Sequence, residues 1–352
     1  MSLDRLTIRG VRNLSPADLT PAPGVNWFYG PNGAGKTSVL EAIYLLGRGR
    51  SFRASRVANI IQHGSEQLQV AARQHQTGHW LGVERASQTW RGRLAGRDCQ
   101  RISEFARMLP LVLIEPDSHR LVDGGPETRR RYLDWQLFHV EQSYLSAWQR
   151  YARMLRQRNA ALKSRQGQAS LAAFERPMAQ AGEVLNTLRA AQTGALTTRV
   201  SELVTELGFR LPGSLELAYR QGHPPELSLE AALQAMRDSD RERGFTQRGP
   251  HRAELVLTCD GHPAARELSR GQQKLLAVAL NLAQLRSVQA AGESIPLLLL
   301  DDPVSELDAG HLEALLAWLP DQPFQTWVTA TSPPAAPFEV FHVEQGQINT
   351  VV

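Results

Sequence analysis

Strand-like and helix-like patterns succeed one another along the chain. Residues 3–9 and 24–29 read as strands. The second leads through glycines into an amphipathic run that predicts a helix from about Gly35 to Leu46, with Gly47 as its stop. Between about 57 and 94, alternating runs such as LQVAAR and WLGVER, parted by Gly, His and Ser, predict an antiparallel flank. LVLIEP, residues 111–116, reads as a buried strand ended by proline. From about Glu127 the period lengthens to that of a helix, with no internal Gly or Pro up to Ser164. A turn is predicted over 166–170, then a second helical stretch to about Gly208. SLELAYR (214–220) and AELVLT (253–258) return to strand pattern. The last third predicts a helix from about Arg270, the strand IPLLLL, a helix near 309–319 and strands near 325 and 339. Strands and helices thus alternate at both ends around a helical middle, which argues a doubly wound α/β core with halves from the two termini. The expected divisions are a first core half over 1–115, a helical lobe over 116–245, and a second core half over 246–352.

Composition narrows this little. No run reaches the roughly 18 apolar residues of a membrane span, and MSLDRLTIRG carries no apolar leader pattern. Cys99 and Cys259 offer no disulfide framework and no metal spacing, so a reducing, cytosolic setting and no membrane partner are expected. The net charge of +4 does not by itself indicate a nucleic-acid ligand. Only Lys36, Lys163 and Lys274 are lysines among 39 basic residues. A codon bias toward arginine explains that most simply, and it draws notice to Lys36 and Lys274, which stand in or beside motifs.

The first motif is GPNGAGKT, followed by Ser38. Gly30, Gly33 and Gly35 let backbone N–H groups converge on phosphate oxygens, with Pro31, Asn32 and Ala34 completing the loop. Lys36 reaches the outer phosphates and Thr37 offers a hydroxyl to Mg²⁺. The competing reading is a structural turn, but the loop sits between a strand and a helix, where ATP binding requires it. The second motif is IPLLLLDDPVSELD: a strand buried on both faces, with two acids at its C-terminal end. Asp301 suits Mg²⁺ and Asp302 suits orienting or deprotonating a water, against the plainer reading of helix-capping acids. The third, LSRGQQKLL, opens a helix with Ser269, Gly271 and Gln272 and resembles the signature of ABC-type ATPases. That resemblance implies that Ser269 and its helix contact the γ-phosphate held by a second subunit. SELD, residues 305–308, resembles the loop beside it. Together the motifs resemble an ABC-type ATPase head. Gly35 and Ser269 lie 234 positions apart, longer than in transporter ATPases, and the helical insert is far shorter than the coiled coils of SMC proteins.

Over nearly its whole length the chain resembles the RecF family. The segments that carry the likeness are 30–53, EPDSHRLVDGGPETRRRYLDW (115–135), RGPHR (248–252), and the last two motifs. The resemblance implies an ATP-dependent homodimer that binds double-stranded and junction DNA, works with RecR and RecO, and helps load RecA on gapped DNA. Two departures matter. Ala253-Glu254 stands where the family continues with two aspartates, and TWVTATS offers Thr329 or Thr331 where transporters carry a histidine, which implies slow, switch-like hydrolysis. For DNA, the helical run supplies Arg129–Arg131, then Arg150, Arg153, Arg156, Arg158, Lys163 and Arg165, with no acid between Glu141 and Glu175. Arg150, Arg153, Arg156 and Arg158 are the expected DNA contacts, against a merely solvated face. Arg85 to Arg107, near Trp80 and Trp90, is a second candidate; Trp135 and Trp148 are read as core. A transporter ATPase subunit and an SMC-like tether are the competing functions.

Overall fold

The computed structural model of the chain describes residues 2–99, 101–164, 168–292 and 296–351. Its strands are β1 (Leu3–Arg9), β2 (Ala17–Leu19), β3 (Val25–Tyr29), β4 (Gln67–Gln74), β5 (Trp80–Ala86), β6 (Trp90–Leu94), β7 (Arg97–Cys99) and β8 (Leu111–Ile114), then β9 (Leu215–Arg220), β10 (Glu254–Cys259), β11 (His262–Pro263), β12 (Leu297–Asp301), β13 (Thr326–Ala330), β14 (Glu339–Glu344) and β15 (Gln347–Val351). The chain divides into two compact units: Met1–Ser118 with Val204–Phe209 and Val278–Val352, and His119–Leu203 with Arg210–Ala277.

The first unit holds two sheets. One has the order β15-β14-β3-β13-β12-β8, parallel throughout except for the β14–β15 hairpin. The other, β2-β1-β4-β5-β6-β7, is antiparallel. One core cluster joins them: Leu6, Ile8 and Val70 from the antiparallel sheet, Leu40 and Ile43 from the helix Lys36–Arg48, and Phe28, Leu299 and Trp327 from the parallel one. The helix is therefore buried almost throughout. Phe28 stacks between Trp327 and Phe341, at ring distances of 5.7 and 4.6 Å, tying three neighbouring strands. The helix does not stop at Gly47. That glycine lies within it because a Cβ there would strike Leu111. Gly49 ends the helix instead, at φ 64°, its N–H donating to the Leu45 carbonyl.

The second unit is mainly helical, with the three-stranded sheet β11-β10-β9. The helical pattern from Glu127 resolves into Pro126–Val140 and Tyr144–Lys163, with extended backbone at Glu141 between them. The helix Gln168–Glu206 begins inside the stretch read as a turn; residues 166 and 167 of that stretch lie outside the described residues. Residues 246–277 belong by contact to this unit, not with 278–352, because β10 pairs with β9 from Glu254↔Arg220 to Cys259↔Leu215. Leu137, Tyr151, Met178, Leu185, Leu229 and Leu233 fill its core. Both cysteines are buried and free. No helix among the described residues is long and apolar enough to cross a membrane.

Candidate functional site

The loop after β3 is shaped by its glycines. Gly30, Gly33 and Gly35 have φ of 154°, 80° and 118°, in the region that L side chains rarely adopt. A Cβ on Gly30 would collide with the Val343 carbonyl, and one on Gly35 with Leu14. Gly33 faces open space, so only its backbone conformation requires glycine. The Lys36 ammonium lies back across the loop and donates to the Gly30 and Pro31 carbonyls at 2.9 and 3.0 Å. Burial lowers its pKa, and the Asp302 and Asp301 carboxylates oppose that shift. Ser38 Oγ donates to Asn13 Oδ1 at 3.3 Å, tying the loop helix to the segment after β1.

Two hydroxyls converge on one carboxylate at the end of β12. Thr37 Oγ1 and Thr329 Oγ1 each donate to Asp301 Oδ1 at 2.8 Å. Thr329 also accepts from the Asp302 N–H at 3.0 Å. Parallel pairing sets this arrangement, since Asp301 stands opposite Thr329 in the β12–β13 register. Asp302 takes φ 51°, ψ 55°, a left-handed conformation that is unfavourable for a non-glycine residue and recurs at functional sites. Lys36, Thr37, Ser38, Asp302, Thr329 and Thr331 share one cleft of about 720 Å³ with Asn32, Gly33 and Gly35. The glycine turn opening the helix Lys36–Arg48, the ammonium and the acid pair fit a magnesium-bound nucleoside triphosphate: a helix N-terminus and a cation for the phosphates, and hard oxygens for the metal.

The same cleft is lined by Arg12, Asn13, Arg53, Ser55 and Asn59, which motif reasoning did not reach. Arg12 pairs with Glu41 of the loop helix through two bonds of 2.8 and 2.9 Å and donates to the Asn59 carbonyl at 2.7 Å. Ser51 also bonds Glu41. The signals that could have found this set were the acid in an otherwise apolar helix and the Ser51-Phe52-Arg53 run that follows it.

The signature segment lies in the other unit. Ser269 and Gln272 cap the helix Arg270–Ala290 reciprocally: Ser269 N–H donates to Gln272 Oε1 at 2.9 Å, and Gln272 N–H to Ser269 Oγ at 3.3 Å. Ser269, Arg270 and Gly271 remain exposed, and Arg270 meets Asp123 at 3.2 Å.

The expected DNA face is only partly a surface. Arg150, Arg153 and Arg156 are exposed. Arg158 is not: it is 0% exposed, held by Glu175 at 3.1 Å and Asp240 at 2.7 Å, so it is a structural residue and not a DNA contact. Much of the 129–131 run is also taken up. Arg129 grips Glu254 at 2.8 and 3.2 Å, Arg130 donates to the Ala253 carbonyl and Arg131 pairs with Glu127. Glu254, the departure from the family pattern, thus has a defined partner. Arg165 lies outside the described residues. Trp135 is buried as expected, but Trp148 is 42% exposed and is not core.

The model of the RecF/RecN/SMC N-terminal domain matches residues 2–337. A protein of Thioalkalivibrio sulfidiphilus described as DNA replication and repair protein RecF is 38% identical, over 99% of both chains. A solved structure of the recombination mediator RecF with ATP superposes with TM-score 0.90 at 25% identity, covering 100% of this chain and 98% of the other. An Smc head gives TM-score 0.62 at 15% identity over 100% of this chain and 97% of the other, a likeness of fold alone. A transporter subunit and an SMC-like tether are not favoured by these matches. The chain belongs to the RecF family of DNA replication and repair proteins and has the ABC-type ATPase fold.

Proposed function

We propose that the protein is an ATP-switched recombination mediator in the cytoplasm: a weak ATPase that pairs with a second copy of itself and binds duplex DNA and its junctions with single strands. RecR and RecO are its proposed partners, in keeping with the pathway named for the ATP-bound relative. The observation that carries the reading is the convergence of Thr37 and Thr329 on Asp301 beside the Gly30–Ser38 cradle.

In this reading the loop N–H groups hold the phosphates and Lys36 turns from its two carbonyls to the outer ones. Thr37 Oγ1 and Asp301 serve Mg²⁺, which when bound neutralises phosphate charge. Asp302 orients the attacking water and Thr329 keeps the two acids in register. Ser269, Gly271 and Gln272 of one chain complete the nucleotide site of the other; the exposure of Ser269 and Gly271 at a helix N-terminus supports this. ATP drives such a switch only by binding the pair more tightly than the separate chains.

The test is retention on duplex DNA with ATP, ADP or no nucleotide, with particle mass read by light scattering. Retention and a doubled mass with ATP alone are expected. Equal retention in all three conditions would overturn the switch, and no retention in any would overturn DNA binding.

A further inference from the structure

RGPHR, Arg248–Arg252, carries part of the family likeness, yet the nucleotide site uses none of it. Its backbone is fixed firmly. Gly249 takes φ 127°, and its N–H donates to the Gly222 carbonyl at 3.1 Å. A Cβ on Gly249 would crowd the Tyr151 hydroxyl, and one on Gly222 would collide with the Gly249 carbonyl. The Pro250 carbonyl accepts from Arg189 Nη1 at 2.7 Å, and His251 sits between Tyr151 Oη at 2.6 Å and the Thr246 carbonyl at 3.0 Å. Two loops, 220–224 and 248–253, are thereby locked together.

What this frame presents is charge. Arg248 and Arg252 are exposed, and with Arg220 and Arg243, also exposed, they line a cleft of about 610 Å³. None of the four has an acidic partner among the described residues. The acid that lines the cleft, Glu254, is already gripped by Arg129. Arg252 lies over the exposed Phe245 ring, 5.4 Å from its centre. His223 forms part of the wall with its side chain 1% exposed, and its Nδ1 has no hydrogen-bond partner. Four guanidinium groups around one concavity repel one another, and neither an ion pair nor burial in the core of this unit accounts for their gathering. A polyanion does, and the guanidinium fork matches phosphate oxygens two at a time.

We propose that this cleft grips neighbouring phosphates of a DNA strand, with Phe245 at its rim, and that it is a principal DNA contact of the helical unit. The proposal rests on the DNA-binding reading above. An acidic peptide is the other polyanion. Phosphates are favoured because the four charges surround a single aromatic side chain, the pairing that serves backbone and base together.

The test compares the wild-type chain with Arg243→Gln/Arg248→Gln, replacing two arginines that have no acidic partner among the described residues. Affinity for a short duplex, with ATP, is measured across salt concentrations. Each lost phosphate contact lowers the slope of log affinity against log salt by about 0.9, so the double variant should be shallower by about two. Arg243→Lys/Arg248→Lys should restore the slope. An unchanged slope in the glutamine variant, with wild type binding normally, would overturn this cleft while leaving the DNA reading intact. Wild type that does not bind duplex at all would overturn both. A polyglutamate peptide that loses affinity in the variant while the duplex slope stays put would assign the cleft to a peptide and overturn the proposal.

Discussion

Gly30 to Ser38 spends one unbroken run of residues on one task, whereas Arg158 meets partners 17, 82 and 88 positions away. The loop gains its shape from backbone conformation: three glycines at positive φ, and a lysine folded back on its own carbonyls. The Arg158 cluster gains its shape from charge. Glu175 is shared with Arg237, and Asp240 Oδ1 accepts from the backbone and side chain of Gln247 at 3.1 and 3.0 Å. The loop opens onto a cleft, while the buried cluster is complete in itself and has nothing left to offer a ligand. Cations of similar appearance in sequence thus divide into those that act and those that hold.

The largest effect should come from breaking the holding kind. Arg158→Ala leaves Asp240 buried without its cation, and such losses cost about 3–5 kcal/mol. Urea unfolding should register that drop, while Arg153→Ala, an exposed neighbour, should fall within about 0.5 kcal/mol of wild type. Equal stabilities would erase the distinction. Next is Asp302→Asn, which keeps the loop and removes the proposed base. Steady-state hydrolysis should fall roughly a hundred-fold or more, with nucleotide affinity near wild type and DNA residence prolonged in a competitor chase. Lys36→Ala should weaken nucleotide binding by about 2 kcal/mol, the scale of a charge-assisted hydrogen bond, without loss of stability. Calorimetry and a melting curve read the two halves of that statement. Ser269→Arg should leave monomers that bind ATP yet fail to double in mass by light scattering.

The smallest effect concerns pH. His251 donates Nε2–H to the Thr246 carbonyl, so its Nδ1 accepts from the Tyr151 hydroxyl, an arrangement of the neutral ring. Burial lowers its pKa to about 4, with Arg252 and Arg130 adding to the shift. Because the folded value lies below the unfolded one, stability is full above about pH 6.5 and declines as pH falls toward 4. His251→Gln should flatten the melting temperature across that window; an unaltered pH dependence would remove His251 as its source.

How much of this was legible follows from the same contrast. The parallel strands announced themselves as apolar runs, and the phosphate loop and acid pair are contiguous, so both could be placed from the chain alone. Thr329 and Thr331 were equal candidates for the place of a histidine; what selects Thr329, its bonds at both acids, depends on a strand register that no local pattern carries. Gly47 looked like a helix stop because its close approach to Leu111, across 64 positions, is invisible in sequence. Arg158 shares its helix with Arg150, Arg153 and Arg156, and only the distant Asp240 and Glu175 separate it from them. Trp148 shows the reverse error: a large apolar side chain read as core lies exposed.

The bond between Gly249 and Gly222 has a consequence in time as well as in space. An amide whose partner belongs to the neighbouring loop exchanges its hydrogen only when the loops part. The Gly249 N–H, 3.1 Å from the Gly222 carbonyl, is therefore a clock for the opening of the arginine cleft. A polyanion bound across both loops should slow that clock, and its exchange rate would time the cleft one opening at a time.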